Sequence, residues 1–355
     1  MSYPNKEFWK DKRVFITGHN GFKGTWLTLW LASLGAKVFG YSLNPPSKPN
    51  LYEIVNAKED CQEFFGDVTN FDELLESFEK FQPQIIFHLA AQPLVKKSYE
   101  NPLGTLKINV MGTANVLEAA RQVTSAKVFI SVTGGLADTL AKEGTNVKKY
   151  SPYNVSKRCL ELITESYQKS FFESFSKNSA IVEPLHVIGG GDFTKSRLIP
   201  DIVSSLQEKK QFIPRNKDIL YSWGDYVLEP LRGYLLLVEK LWEDSSYCER
   251  WSFFGKEKKT DIQSFIDFLY KVWDDEATEL EFLNKDFREN LEATKEKLRL
   301  GWECVFSKVA SLKFTLKWYK NYLQGSNMRE FTISQLKEYE EYVKKYEEME
   351  RGRLN

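Results

Sequence analysis

The segment Arg13–Thr17, RVFIT, is a short apolar run that ends on Gly18-His19-Asn20-Gly21-Phe22-Lys23-Gly24. Few features restrict a chain more. A run of this length, apolar throughout, predicts a strand buried on both faces. Trp26, Leu27, Trp30, Leu31 and Leu34 follow at helical spacing, predicting a helix over Gly24–Leu34. Ala36–Tyr41 reads as a second strand. The chain therefore opens β-α-β, with three glycines in its first turn. Gly18 allows the tight turn, Gly21 lets a pyrophosphate approach the backbone, and Gly24 lets helix and strand pack closely. The helix N-terminus then offers N–H groups and the positive end of a dipole to phosphate. The context predicts a dinucleotide site, with Gly18, Asn20, Gly21, Phe22, Lys23 and Gly24 holding the cofactor.

The rhythm continues. CQEFFGDV brings a third strand to Asp67, and Asp72–Phe81 is predicted helical. Ile85–Ala91 is a fourth strand, Val110–Gln122 a helix and Lys127–Val132 a fifth strand. A helix is expected from Tyr153 to about Phe172, then a sixth strand over Ala180–Ile188. Strands alternating with helices predict a parallel sheet covered on both sides. The expected class is α/β: a Rossmann-type doubly wound parallel sheet with a smaller C-terminal substrate lobe. Residues 1–190 are assigned to the cofactor domain and 191–355 to the second lobe. No Gly-, Ser- or Pro-rich linker separates them, so the two are expected to interweave. Helices are predicted around 198–210, 227–244, 261–273 and 307–323. The tail from Thr332 spaces Ile333, Leu336, Tyr339, Tyr342, Val343 and Tyr346 as an amphipathic helix.

Composition removes several classes. Lys plus Arg and Asp plus Glu number 49 each, so no net basic charge points to nucleic acid or an anionic membrane. The charged start reads as neither a signal nor a transit peptide, and no apolar stretch suits a membrane span. Cys61, Cys159, Cys248 and Cys304 are scattered and read as reduced thiols of a cytoplasmic protein. The three histidines form no ligand-spaced cluster, so no metal is expected.

Two motifs carry the chemistry. Asp67-Val68, after the third strand, is placed to meet an adenine edge; Asp67 reads equally as a cap for the following helix. The second strand ends in Gly40-Tyr41-Ser42, with neither the acid that often holds a ribose 2′-hydroxyl nor an arginine for a 2′-phosphate. NAD is expected, with NADP left open. Tyr153 and Lys157 form YxxxK, which places an ammonium one helical turn from a phenol. Such a cation favours the phenolate, and a phenol near its ordinary pKa of ~10 is a poor base at neutral pH.

These residues resemble the extended short-chain dehydrogenase/reductases that act on nucleotide sugars, and most of all the CDP-glucose 4,6-dehydratase branch. The resemblance is carried by FWKDKRVFITGHNGFKGTWLTLWLASLGAKVFGY, FHLAAQPLVKKSYENP, NVMGTANVLEA, YNVSK, VIGGGDF, VLEPLRGYLLL and NMREFTISQ. It implies NAD in the first lobe and a CDP-linked hexose in the second. Tyr153 would take the sugar 4-hydroxyl proton as hydride leaves C4, and Lys157 would bind the nicotinamide ribose. Leu89, Ala90, Ala91 and Asn109 match cofactor-side positions, although Asn109 reads equally as a helix cap. A homodimer through the helices 110–122 and 155–172 is also implied.

The chain departs from that pattern where dehydration needs an acid and a base. The family's Thr-Ser-Asp-Lys is Thr133-Gly134-Gly135-Leu136 here. An asparagine expected to contact substrate is His186, an arginine beside it is Glu183, and Arg-Pro-Trp near the diphosphate is Tyr221-Ser222-Trp223. Thr133, Asp138 or His186 could substitute, with Thr133 counted beside Tyr153 and Lys157 as catalytic. His186, Arg197, Arg215 and Tyr226 are expected at the substrate, and Lys96 and Lys97 are further candidates for its diphosphate. Three functions follow. One is a dehydratase-type enzyme on a CDP-linked hexose with its acid and base relocated and hydride transfer at C4 retained. Another is a sugar-nucleotide epimerase or reductase. The third is a non-catalytic protein that binds cofactor or nucleotide sugar.

Overall fold

The computed structural model describes residues 3–45, 47–134, 150–214, 220–256, 258–274 and 294–354. Its strands in chain order begin with β1 Arg13–Thr17, β2 Lys37–Ser42, β3 Gln62–Phe65, β4 Ile85–His88, β5 Val128–Val132 and β6 Asn178–Glu183. The short β7 Val187–Ile188, β8 Leu220–Ser222, β9 Asp225–Tyr226, β10 Arg250–Ser252 and β11 Lys259–Asp261 follow. Seven of them form one sheet in the order β10-β6-β5-β4-β1-β2-β3, every neighbour parallel. The order reverses between β1 and β4, and a crevice opens at the strand C-termini at such a point.

Alternation along β1 shows why this sheet is buried on both sides. Val14 and Ile16 join a core with Trp26, Leu27, Trp30 and Leu31 of the helix Phe22–Ser33. Phe15 points the other way, among Phe78 of the helix Phe71–Phe81 and Val116 and Leu117 of the helix Gly112–Gln122. A sheet with both faces dry needs apolar residues at every position, which RVFIT, IIFH and VFISV nearly supply.

Three expectations change. The expected strand Ala180–Ile188 is two strands: β6 stays in the main sheet, whereas β7 pairs with β9 in a separate sheet. Pro184 has no N–H to extend the ladder, so the chain leaves the sheet there and carries His186 to the crevice. The fourth strand stops at His88 instead of Ala91, because Ala90 N–H turns to the Thr17 hydroxyl (3.2 Å). The helix expected from Val110 starts earlier: Pro102–Leu106 passes through a π-helical turn, Lys107–Met111, into Gly112–Gln122.

The second half does not stand apart. β10 adds to the main sheet beside β6, and the helix Leu228–Glu243 packs on β5 and β6. The tail forms a helix over Met328–Leu354, with Leu336, Tyr339 and Val343 buried. Fully buried Arg232 donates to the Tyr339 hydroxyl (3.0 Å) and pairs with Glu229 (3.3 Å). Glu229 also accepts from the Tyr339 hydroxyl and from the N–H groups of Val305 and Phe306. A buried ion pair is tolerated only with its remaining valences satisfied, and here they are. VLEPLRGYLLL thus ties the tail helix to the body; its charged residues belong to the core.

Candidate active site

A cleft of about 960 Å³ lies over the C-terminal ends of β1, β4 and β5. At one end are Ser42, Leu43, Asn44, Gly66, Asp67 and Val68; Thr133, Gly134, Tyr153 and Lys157 stand in the middle; His186, Arg197, Phe212 and Tyr221 close the other end. Gly18, Asn20, Gly21, Phe22, Lys23, Gly24, Leu89, Ala90 and Ala91 border it too.

The glycine turn divides its labour as the spacing predicts. Gly18 has φ +75°, and a Cβ there would lie 2.8 Å from the Ala90 nitrogen. A Cβ on Gly24 would lie 2.1 Å from the Gly18 carbonyl oxygen. Gly21 is different: a Cβ would meet only the Gly18 oxygen, at 3.4 Å. It is also the N-cap of the helix Phe22–Ser33 and has no side chain to satisfy the helix's first N–H groups. The turn therefore presents an open backbone and an uncapped helix start, which suits the pyrophosphate of a dinucleotide. Asp67 borders the cleft and takes the Thr69 N–H (2.9 Å) in a local turn, while the N-cap of the helix Phe71–Phe81 is Asn70, so Asp67 does not cap it as expected.

Tyr153 sits in the first turn of the helix Pro152–Tyr167, capped by the Ser151 hydroxyl on Asn154 N–H (3.1 Å). A second clamp comes from below. Asn109, fully buried in the π-helical turn, donates to the Ser156 hydroxyl (2.9 Å), which donates to the Tyr153 carbonyl (2.7 Å). The Asn109 side-chain oxygen Oδ1 accepts from Gln92 N–H (2.8 Å). Asn109 is not among the residues bordering the cleft; it supports the tyrosine's backbone from behind, a correction to its expected cofactor contact. Behind β4, His88 bridges the hydroxyls of Thr17 (2.7 Å) and Thr113 (2.9 Å), and burial holds its pKa down to about 3.

Gly134 faces the tyrosine directly. A Cβ on it would lie 2.7 Å from the Tyr153 hydroxyl oxygen. Gly134 thus lies beside the phenol and carries no side chain. Thr133, one residue earlier, does not fill the gap: its hydroxyl donates to Glu161 (2.9 Å), which is buried and lies outside the cleft. Gly135, Leu136, Asp138 and Arg215 lie outside the described residues.

The electrostatics correct one expectation. Burial raises the Tyr153 pKa, and the cation that opposes this is Arg197, not Lys157. The lysine directs its ammonium to the Val132 carbonyl (3.3 Å), at the end of β5. Burial lowers Lys157 to about 8, with Glu161 acting the other way. Lys23 is lowered to about 7, by burial and then by the fields of Lys157 and Arg197. Three cations thus converge on one cleft, with Asp192 holding Arg197 (2.7 Å). His186 opens on the cleft but has protein around its other sides. The side chain is exposed to the cleft; the protein around it, Arg197 and Lys308 all act to lower its pKa, and its Nε2 meets the Tyr221 hydroxyl (3.0 Å). At neutral pH it is uncharged, so it serves as a hydrogen-bond partner and is a poor substitute for the missing acid.

Tyr226 is not at the substrate. It is fully buried among Trp26, Phe306, Phe314 and Tyr339, because β9 turns its side chain into the core. Lys97 borders the cleft, whereas Lys96 is exposed and pairs with Glu100 (3.8 Å). Tyr221 stands where the resemblance put an arginine near the diphosphate, whereas Asp192 and Phe212 in the cleft and Glu161 behind it were not expected. Only Glu161 left a signal, as the residue eight after Tyr153 on the same helix. No helix among the described residues is long and apolar enough to cross a membrane, and none of their side chains cluster as metal ligands.

Comparison with known proteins agrees with this geometry. The family model for GDP-mannose 4,6 dehydratase matches residues 15–227. The CDP-glucose 4,6-dehydratase of Salmonella typhimurium is 38% identical over 341 residues, 91% of this chain and 95% of that one. Among solved structures, the UDP-glucose 4-epimerase of Thermotoga maritima superposes with a TM-score of 0.68 at 22% identity, covering 87% of this chain and 99% of that one. The dTDP-glucose 4,6-dehydratase DesIV of Streptomyces venezuelae, solved with NAD, gives 0.68 at 18% identity, covering 88% and 98%. At these identities the two structures establish the shared fold.

Proposed function

Because the chain belongs to the GDP-mannose 4,6-dehydratase family of extended short-chain dehydrogenase/reductases, we propose that it is an NAD-dependent enzyme that transfers a hydride at C4 of a nucleotide-activated hexose, CDP-linked, without efficient loss of water. One observation supports this reading: Tyr153 and Lys157 both border the cleft, while Gly134, whose Cβ would lie 2.7 Å from the phenol oxygen, has no side chain.

The residues fit NAD. Gly21, Phe22 and Lys23 would hold its pyrophosphate, Asp67 and Val68 its adenine, and Lys157 its nicotinamide ribose. Bound NAD would supply the hydride acceptor. Tyr153 would take the 4-hydroxyl proton, with Arg197 opposing the effect of burial on the phenol. Arg197 and Lys97 are the described cations left to meet a sugar diphosphate. Dehydration would further need a base at C5 and an acid at the 6-hydroxyl, each worth roughly 10²–10⁴ in rate. His186, held neutral, is in the form of a base and not of an acid, and the Thr133 hydroxyl is engaged by Glu161.

A 4-epimerase is the second reading, favoured by the same observation: removing and returning a hydride at C4 needs the tyrosine and no acid or base in the place of Gly134. Incubation with NAD and a panel of CDP-, UDP- and dTDP-hexoses, monitored by nicotinamide absorbance and sugar composition, tests both. Bound NAD with no turnover across the panel would favour a binding protein. A homodimer is part of the proposal. Exposed Leu103 and Met111 on the first helical run, and Val155, Leu162 and Phe171 on the second, would form its face.

The adenosine end predicts the cofactor. Ser42, Leu43, Asn44, Gly66, Asp67 and Val68 border it, with no lysine or arginine among them. A 2′-phosphate would lose hydration without the charge-assisted bonds, about 1.5–3 kcal/mol each, that compensate for it. Titration calorimetry is expected to show NAD binding about 10–100-fold more tightly than NADP. Equal affinities would contradict the assignment of this end.

A further inference from the structure

The helix Pro152–Tyr167 carries a third ionisable residue in line with the reacting pair. Tyr153, Lys157 and Glu161 are spaced by four, so they lie along one helix face. Glu161 is 5% exposed and does not border the cleft. Its Oε1 accepts the Thr133 hydroxyl at 2.9 Å, and its Oε2 faces Arg158 and Arg250, each at 3.5 Å. Arg250 is also committed to Glu183 (2.6 Å). The ammonium of Lys157 meets the carbonyl of Val132, the residue before Thr133. Adjacent rungs of one helix face therefore grip adjacent residues at the end of β5, and Gly134, the next residue, lies against the tyrosine hydroxyl.

We propose that Glu161 is a positioning residue for the Tyr153–Lys157 pair: its carboxylate keeps Lys157 an ammonium and, through Thr133, fixes the strand end that sets Gly134 beside the phenol. The charges around the lysine leave this task to Glu161. From the helix Phe22–Ser33 comes Lys23, a like charge; from β4 comes His88, held neutral. Burial disfavours the ammonium, and Glu161 is the group that opposes it. Burial also raises the Glu161 pKa, while Arg250, Thr133 and Arg158 favour its ionised form.

The inference rests on reading Tyr153 and Lys157 as the reacting pair, but its test needs no turnover. Protein labelled with ¹³C at the lysine ε carbons is titrated by NMR without substrate, the Lys157 resonance being identified by its loss in Lys157→Met. The wild-type midpoint is expected near 8. Glu161→Gln keeps the shape and an acceptor for Thr133 but removes the charge, so the midpoint should fall by about one pH unit or more. Glu161→Asp, which draws the charge back by one methylene, should give a smaller fall and serves if the Gln variant does not fold. Thr133→Val, with the charge intact, should leave the midpoint in place. An unchanged midpoint in the Gln and Asp variants, or an equal fall in Thr133→Val, overturns the proposal. Absence of hydride transfer from every sugar tried would count against the proposed function and leave this titration readable.

Discussion

Tyr153→Phe is expected to lower hydride transfer by about 10²–10⁴-fold, the usual worth of one placed acid or base, while NAD affinity and melting temperature stay as they were. The ring position is fixed by backbone contacts that the substitution spares: the Ser151 cap, and the Asn109–Ser156 relay to the Tyr153 carbonyl. What is lost is the hydroxyl beside Gly134. Single-turnover absorbance with NAD and an accepted nucleotide sugar reads the step. Phenylalanine at near wild-type rate would remove Tyr153 from the chemistry, and the proposed mechanism with it.

Gly24→Ala should have an effect as large, on the fold itself. Its Cβ would lie 2.1 Å from the Gly18 carbonyl oxygen and 2.8 Å from backbone atoms of His19. Neighbours that are backbone cannot rotate away, so the helix must lift from the turn. Overpacking costs 1–3 kcal/mol where side chains can yield; here about 3 kcal/mol or more is expected, with NAD binding lost alongside. Gly21→Ala is the informative partner. Its Cβ meets only ordinary contact, at 3.4 Å, so the protein should melt as wild type yet fail to bind NAD, because the methyl occupies the approach of the pyrophosphate. Thermal melts with NAD calorimetry separate the two. A Gly21→Ala protein that binds NAD normally would place the pyrophosphate elsewhere.

The glycine turn was legible because strand, spacing and helix all pointed one way, and the structure leaves Gly18 and Gly24 no room for a side chain. Pro184 was a weaker signal read too lightly: one missing N–H redirects the chain, splits a strand and decides where His186 stands. Asn109 and Tyr226 had suitable residue types, but sequence spacing does not say which side of a helix or strand faces a cleft. Asn109 supports from behind and Tyr226 fills the core. The field at Tyr153 follows the same rule. A lysine one turn away is near in sequence, yet its ammonium is drawn to the Val132 carbonyl, and the opposing field comes from Arg197 across the cleft. Glu183 shows the reverse case. Read from sequence, it was a lost arginine; in the structure it is the partner of Arg250, a contact between β6 and β10 that no local pattern announces.

The central claim is that hydride transfer at C4 is retained while dehydration is not. Mass spectrometry of CDP-glucose after incubation with the protein and NAD tests it most directly. The account predicts a product that has lost no water: either the C4 epimer at unchanged mass, or a sugar lighter by two hydrogens with NADH formed. A CDP-sugar lighter by one water, made at a rate that Tyr153→Phe abolishes, would contradict it.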